Sequence, residues 1–342
     1  MIVMRMSRPD DVAALVGLAN KAGPGMTTLK PDADVQGARL ERVRRTVDGT
    51  ATLAEQGYLF VLEDTDSGRV VGVSGIEVAV GLEQPFYTYR MDTFVHASRE
   101  LGTWTRMDKL YMSHGLTGYS ELCTLFLDPE FRGGGNGALL SKSRFMFLAQ
   151  FPERFSERIC AEMRGHFDEN GESPFWNALG AHFYQIDFNE ADRLVALGKK
   201  SFLAELMPRY PVYVDFLPDD ARECIGKTHK DTEPARRLLE AEGLRMEGHL
   251  DIFEGGPVLE SRIDSLRVMH ESRLCRVEIA DGTRIDGERY LVANGSLEDF
   301  RVILVSANPC DGVLYLSADE ARALCVAGGD TVRAMTLYPT KR

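Results

Sequence analysis

The residues with the clearest chemical meaning are four glycines, Gly133, Gly134, Gly135 and Gly137, which follow Arg132 directly in the run 128–137. An apolar stretch, 121–127, breaks at Asp128-Pro129 ahead of them, and Ala138-Leu139-Leu140 opens a helical pattern behind them. Glycines in such a turn remove the Cβ atoms that would keep a ligand off the backbone. Several amides can then converge on one anion at the positive end of a helix dipole. Arg132 adds a fixed charge at the rim, so the run reads as a phosphate-binding turn. No Lys-Ser or Lys-Thr follows at the spacing of a P-loop, and the glycines are not spaced as in a dinucleotide fingerprint. The spelling is Arg-x-x-Gly-x-Gly. Without a ligand it would be a tight strand-to-helix turn and nothing more.

Two further side chains could take part in chemistry. His229 lies in the polar run Gly226-Lys227-Thr228-His229-Lys230-Asp231, just before a helical pattern, where an imidazole can move a proton near neutrality. Cys123 precedes the glycine turn and could be an acyl-accepting nucleophile, but no basic residue stands near it in sequence to form a thiolate. It reads as a core residue. The six cysteines form no CxxC pair and no Cys/His cluster at zinc spacing, so neither a disulfide framework nor a metal is expected.

The elements that must position these residues follow an α/β grammar. Residues 1–6 alternate as a first strand, and helices are expected over 11–21 and 34–47, separated by a loop at 22–28. A hairpin pairs 58–63 with 69–80, and the strand carrying the glycine turn comes next. Between them lies a long insert, 81–119, rich in aromatic and charged residues, of the kind that tends to carry function. Further on come a strand at 158–164, a helix opened by Ser173-Pro174, a helix over 190–207, a strand at 210–216 and a helix over 232–242. Beyond residue 250 short runs at 266–269, 275–280, 290–293, 302–306, 313–316 and 332–337 alternate with Asp-Gly, Asn-Gly and Gly-Gly turns. These predict a small all-β, barrel-like domain with one helix at 318–324. The expected division is 1–245 and 246–342.

With 342 residues the chain can bury a sizeable core, and its net charge of -12 argues against nucleic acid as a partner. The N-terminus lacks the apolar core of a signal peptide, and no stretch is long and apolar enough for a membrane span, so a cytoplasmic protein is expected.

Several segments together carry a resemblance: Met26-Thr27-Thr28-Leu29, the run 119–127, Arg132-Gly133-Gly134-Gly135, Glu162-Met163-Arg164-Gly165 and Ile225-Gly226-Lys227-Thr228-His229. They are similar to those of the bacterial arginine N-succinyltransferases, within the GCN5-related N-acyltransferase superfamily, and the likeness extends along nearly the whole chain. The resemblance implies an acyltransferase of that α/β fold, moving succinyl from succinyl-CoA to the α-amino group of L-arginine in an arginine-catabolic route. No permanently bound cofactor and no metal are implied. L-ornithine or another amine as acceptor, or a CoA-binding subunit paired with an active paralogue, stay open. A homo-oligomer or a hetero-oligomer with a paralogous subunit is implied as well.

The resemblance also implies roles for particular residues. His229 is the proton donor, and the main chain of Leu125 contacts succinyl-CoA. Leu127, Arg132, Gly133, Gly134, Gly135 and Gly137 extend that contact along the pantetheine arm and the pyrophosphate. Glu121 stands where relatives in the superfamily place a general base, and Tyr184 where many place a thiolate-protonating tyrosine. Each has a plainer reading, as a solvated strand-end carboxylate and a core tyrosine. Arg90, Arg106 and Lys109 are candidates for the succinyl carboxylate, and Asp231 and Glu233 for a guanidinium.

Overall fold

The computed structural model describes residues 1–339 apart from 23–25, 27, 197, 200 and 281–286. Most of the loop expected over 22–28, including Thr27, and the Asp281-Gly282 turn lie outside the described residues. The chain opens with β1 (Ile2–Met6), α1 (Val12–Ala22) and α2 (Ala33–Val47), then β2 (Gly57–Asp64) and β3 (Arg69–Glu77). It continues through β4 (Thr88–Ser98), β5 (Thr103–Ser113), β6 (Ser120–Leu127), α3 (Asn136–Gln150) and β7 (Arg158–Glu162). A helical segment follows: α4 (Ala181–Tyr184), α5 (Phe188–Ala196) and α6 (Ser201–Leu206), then β8 (Val212–Tyr213), α7 (Asp219–Cys224) and α8 (Glu233–Ala241). The rest comprises β9 (Arg245–Asp251), β10 (Pro257–Arg262), α9 (Arg267–Glu271), β11 (Arg273–Ile279), β12 (Glu288–Ala293), β13 (Arg301–Ala307), β14 (Val313–Leu316), α10 (Ala318–Leu324) and β15 (Thr331–Thr336).

The C-terminal strands do not close a barrel. Among the described residues fifteen strands form one sheet in the order β14-β11-β15-β12-β13-β1-β2-β3-β6-β7-β10-β9-β4-β5-β8. The reason lies in β13, whose two edges are taken by β12 and by β1, with Val3 opposite Ile303 and Arg5 opposite Arg301. Each strand has only two hydrogen-bonding edges, so pairing with β1 leaves β13 none with which to close on β14. β9 and β10 lie at the other end, between β7 and β4.

Other expectations change with burial. The insert 81–119 holds a ribbon, β4–β5, paired in unbroken register from Thr88–Ser113 to Ser98–Thr103. Its base packs under β9, and its tip leaves Val95, Leu101 and Trp104 exposed. The run 266–269 is not a strand, because Arg267 pairs with Glu271 one helical turn on and with the buried Glu242. The helix expected over 190–207 is two, divided near Gly198, whose φ of +77° stops α5.

α3 is the hub, with every residue from 138 to 149 buried. One side meets the aromatic cluster of Phe60, Phe147 and Phe300, in which Phe147 and Phe300 cross edge-on with centroids 4.9 Å apart. A helix with no wet face must satisfy its polar residues internally. Lys142 does so by pairing with Glu242 at 2.8 Å and donating to the Leu337 carbonyl at 2.7 Å. Arg267 completes the network, 2.9 Å from Glu242 and donating to the Thr336 carbonyl. One carboxylate thus joins α3, the end of α8, α9 and the end of β15.

Glu242→Leu should lower unfolding stability by about 3–5 kcal/mol, because it strands two buried cations. Denaturant melts of the purified variant check this, and a loss below about 1 kcal/mol would show that water already reaches the network.

Candidate active site

The site grows out of β6. On one side β6 pairs antiparallel with β3, from Glu77–Glu121 to Gly72–Leu127, with a register slip between Val73 and Gly75. On the other side it pairs parallel with β7, but only through Ser120–Ile159 and Glu121–Cys160. Past that point the two strands carry no shared register, and the β6 edge from Leu122 to Leu127 faces the opening. At the slip, Thr124 has φ +50°, a left-handed backbone that a β-branched residue adopts only under strain.

β6 runs out through the short turn Pro129–Phe131, capped by Asp128, into the glycines. Gly133, Gly134 and Gly135 have φ of +108°, +57° and +91°, three consecutive left-handed residues that only glycine adopts at low cost. Gly135 is the N-cap of α3, so the first-turn amides of a fully buried helix open onto this turn. A residue the sequence did not single out arrives here: Arg289 of β12 donates to the Gly134 carbonyl, and a Cβ on Gly135 would stand 2.6 Å from its Nη2. The C-terminal strands therefore place a second cation beside the turn, besides Arg132.

His229 sits at the end of β7. Its amide donates to the Arg164 carbonyl at 2.8 Å, and a β-bridge joins Gly165 to Thr228 beside it. The Asp231 amide donates to Nδ1 at 3.2 Å, which fixes the neutral tautomer with its proton on Nε2. Burial and the Arg164 guanidinium hold the imidazole below its ordinary value, against the weaker pull of Asp231. The ring is neutral at pH 7 and can take a proton.

Glu121 stands in a row across four strands, with Glu77 and Cys160 as its direct neighbours and Glu260 opposite Cys160. Directly opposed residues share a face, so three carboxylates line up there. Arg42 pairs with Glu77 at 2.7 Å, and His249 meets Glu260 at 2.6 Å. Sequence reasoning missed the His249–Glu260 pair, because eleven residues and a strand turn separate its members. Tyr184 lies in the second core cluster, stacked on Trp176 at 5.3 Å, its buried hydroxyl without a hydrogen-bond partner among the described residues.

Leu125 and Leu127 are half-buried on β6 beyond the last β7 pair. Arg90 packs 3.4 Å from the His249 ring, and Lys109 lies between the rings of Phe94 and Tyr213 at 3.9 and 4.1 Å. Arg106 bonds Thr93 on the exposed ribbon. Asp231 stands 3.8 Å from His229, and Glu233 opens α8. Among the described residues no group of His, Cys, Asp and Glu could hold a metal, and no helix is long and apolar enough to cross a membrane.

Behind His229 the buried Glu254 accepts the Gly165 amide at 2.8 Å. Burial and the neighbouring Asp251 push its carboxyl up to about 8. A carboxyl raised on folding keeps its proton in the native state while the unfolded chain, ionised above about pH 4.3, has lost it. Its contribution is present at low pH and is lost as pH rises to about 8. Glu254→Gln should therefore narrow the gap in melting temperature between pH 6 and pH 8, measured by thermal unfolding at both, and an unchanged gap would place the proton elsewhere.

Comparisons with known proteins show the family. Residues 2–268 match the family model of the arginine N-succinyltransferase beta subunit, and residues 273–336 that of its C-terminal domain. The chain is 50% identical over 330 residues to an arginine N-succinyltransferase of Yersinia enterocolitica, covering 96% of this chain and 95% of that one. An Enterobacter arginine N-succinyltransferase is 48% identical over 344 residues, covering 100% and 99%. The solved structure of arginine/ornithine succinyltransferase subunit AI from Pseudomonas aeruginosa superimposes with a TM-score of 0.89 at 35% identity, covering 99% of each chain. With its glycine turn, its opened strand pair and its full-length likeness to these relatives, the chain belongs to the arginine N-succinyltransferase family.

Proposed function

We propose that this chain transfers the succinyl group of succinyl-CoA to the α-amino group of L-arginine, giving N2-succinylarginine and CoA. The observation that carries the reading is the opened edge of β6, which leads from Glu121 past Thr124 and Leu125 into three left-handed glycines at the N-terminus of α3. An acyl-CoA fits this shape. Its pyrophosphate would rest on the α3 amides between Arg132 and Arg289, and its pantetheine arm would run along Leu127 and Leu125. The thioester would then lie beside the Thr124 slip.

The chemistry follows from the protonation states. The acceptor ammonium must give one proton to solvent before its lone pair attacks the thioester carbon, and the nitrogen gives up a second, to His229, as the C–N bond forms. His229 is neutral, with Nδ1 occupied by the Asp231 amide, so Nε2 is the atom that exchanges the proton. As the C–N bond forms, the carbonyl oxygen gains negative charge that a β6 main-chain amide at Leu125 would stabilise. The C–S bond then breaks, and the same imidazolium returns its proton to the departing thiolate. Glu121, in the row facing the acceptor side, is the alternative first base. Transfer is direct, because burial pushes the Cys123 thiol up to about 12 and leaves it no thiolate to acylate near neutrality. We read the exposed ribbon tip, with Leu101 and Trp104, as a contact between subunits, and a monomer in sedimentation equilibrium would overturn that.

The purified chain, given succinyl-CoA with arginine, ornithine or lysine, should release thiol and form succinylated product with arginine in preference. Thiol release without an N-succinylated mass would refute the reading.

His229→Ala should lower turnover by about 10²–10⁴-fold, the range of proton-transfer assistance, while CoA binding stays near that of the parent. The parent should lose activity as the pH drops through a value below that of ordinary imidazole, the direction set by burial and Arg164. His229→Gln should lack that acid limb, and full turnover in either variant would move the proton to Glu121.

A further inference from the structure

Thr124 has φ +50°, and two arginines reach the Cys123–Thr124 segment, one from α2 and one from α3. From α2, Arg39 donates through Nη2 to Thr124 Oγ1 at 2.8 Å and lies 3.8 Å from Cys123 Sγ, while its Nη1 anchors on the Thr28 carbonyl at 2.8 Å. Gly75 makes room, since a Cβ there would meet Arg39 Nη2 at 3.1 Å and Cys123 Sγ at 3.0 Å. From α3, Arg144 donates through Nη1 to the Cys123 carbonyl at 3.3 Å. Its other donors reach the Ser141 carbonyl and hydroxyl at 3.1 and 3.2 Å.

Arg144 is 1% exposed, and its hydrogen-bond acceptors are all neutral. A guanidinium buried without a carboxylate is costly, and an apolar side chain of similar volume would fill the same space at less cost. Burial lowers its pKa only to about 10, so the charge persists at neutral pH. Fixing one carbonyl of a strand does not by itself require such a group. What it does supply is a positive charge with no carboxylate partner among the described residues, behind the first peptide of the stretch Cys123–Phe126 over which β6 changes register.

We propose that Arg39 and Arg144 are positioning residues that clamp the strained Cys123–Thr124 peptide. The clamp turns the main chain of Leu125 toward the opened edge, and the unpaired charge of Arg144 favours the anion that forms on the thioester oxygen. The inference rests on the acyl-transfer reading above. Neither arginine touches the reacting atoms, and no bond is made or broken at them. In the ground state no carboxylate among the described residues pairs with the Arg144 charge. As the amine attacks and the carbonyl oxygen becomes anionic, a counter-ion appears on the far side of the same peptide, and it disappears again when the C–S bond breaks.

Two variants at Thr124 separate the clamp from mere packing. Thr124→Ala and Thr124→Gly both remove the Arg39 hydrogen bond, but only glycine accepts φ +50° without strain. Alanine should lose about tenfold or more in kcat, as a small misplacement of the oxyanion donor would, and glycine should keep turnover within about threefold of the parent. Arg144→Met, which keeps volume and removes charge, should lower kcat by about 10²-fold with KM for arginine and the dissociation constant of CoA near the parent values. Arg144→Lys should recover part of that loss. Equal turnover in the two Thr124 variants, or full kcat in folded Arg144→Met, would overturn the clamp. If Arg144→Met does not fold, the Thr124 pair decides alone. An inactive parent would instead refute the acyl-transfer reading, so the two failures are distinguishable.

Discussion

Helix α3 has no face in water, and most of the architecture answers to that constraint. A buried Lys, Arg or Ser must find its partners inside, so the two cations of α3 each fix a different part of the chain. Lys142 holds Glu242 and the Leu337 carbonyl, which draws in α8, α9 and the end of β15. Arg144 holds the Cys123 carbonyl of β6. Ser143 turns back on its own helix, to Leu139. The N-terminal amides of the helix are left to the glycine turn. The same element that closes the core thus aims its positive end at the site.

This arrangement brings the C-terminal strands into contact with the glycine turn of the N-terminal part. β13 pairs with β1, β12 follows, and Arg289 on β12 comes to lie at Gly134 and Gly135. The continuity of the sheet, rather than a surface contact between two closed units, carries that arginine to the turn. The glycine turn therefore meets a residue far along the chain, the Arg289 contact to Gly134 spanning a separation of 155.

The electrostatics divide the opening of β6 into two sides. The turn side is positive, from helix amides and two arginines, and suits phosphates. The strand side carries the carboxylate row of Glu77, Glu121 and Glu260, bounded by Arg42 and by His249 with Arg90. His229 lies at the end of β7, beyond the point where the strands part, and its depressed basicity matches a group that must first accept a proton.

The sequence alone determined what local chemistry dictates. The glycines with Arg132, the break at Asp128-Pro129 and the polar run around His229 are contiguous, so their turn geometry and charge could be read directly, and so could the α/β order of the first half. Tertiary structure decided whatever depends on edges and burial. The terminal strands alternate as a barrel would, but pattern cannot say which edge a strand pairs with, and β1 offered one to β13. Tyr184 has the same letters whether wet or buried, and its place on Trp176 came only with packing. Arg39, Arg144 and Arg289 gave no sequence signal, because an arginine in a helical or strand pattern reads as a surface charge. Arg144 gains meaning only where the fold removes water, and Arg39 and Arg289 only where the tertiary structure brings them to Thr124 and to the glycine turn.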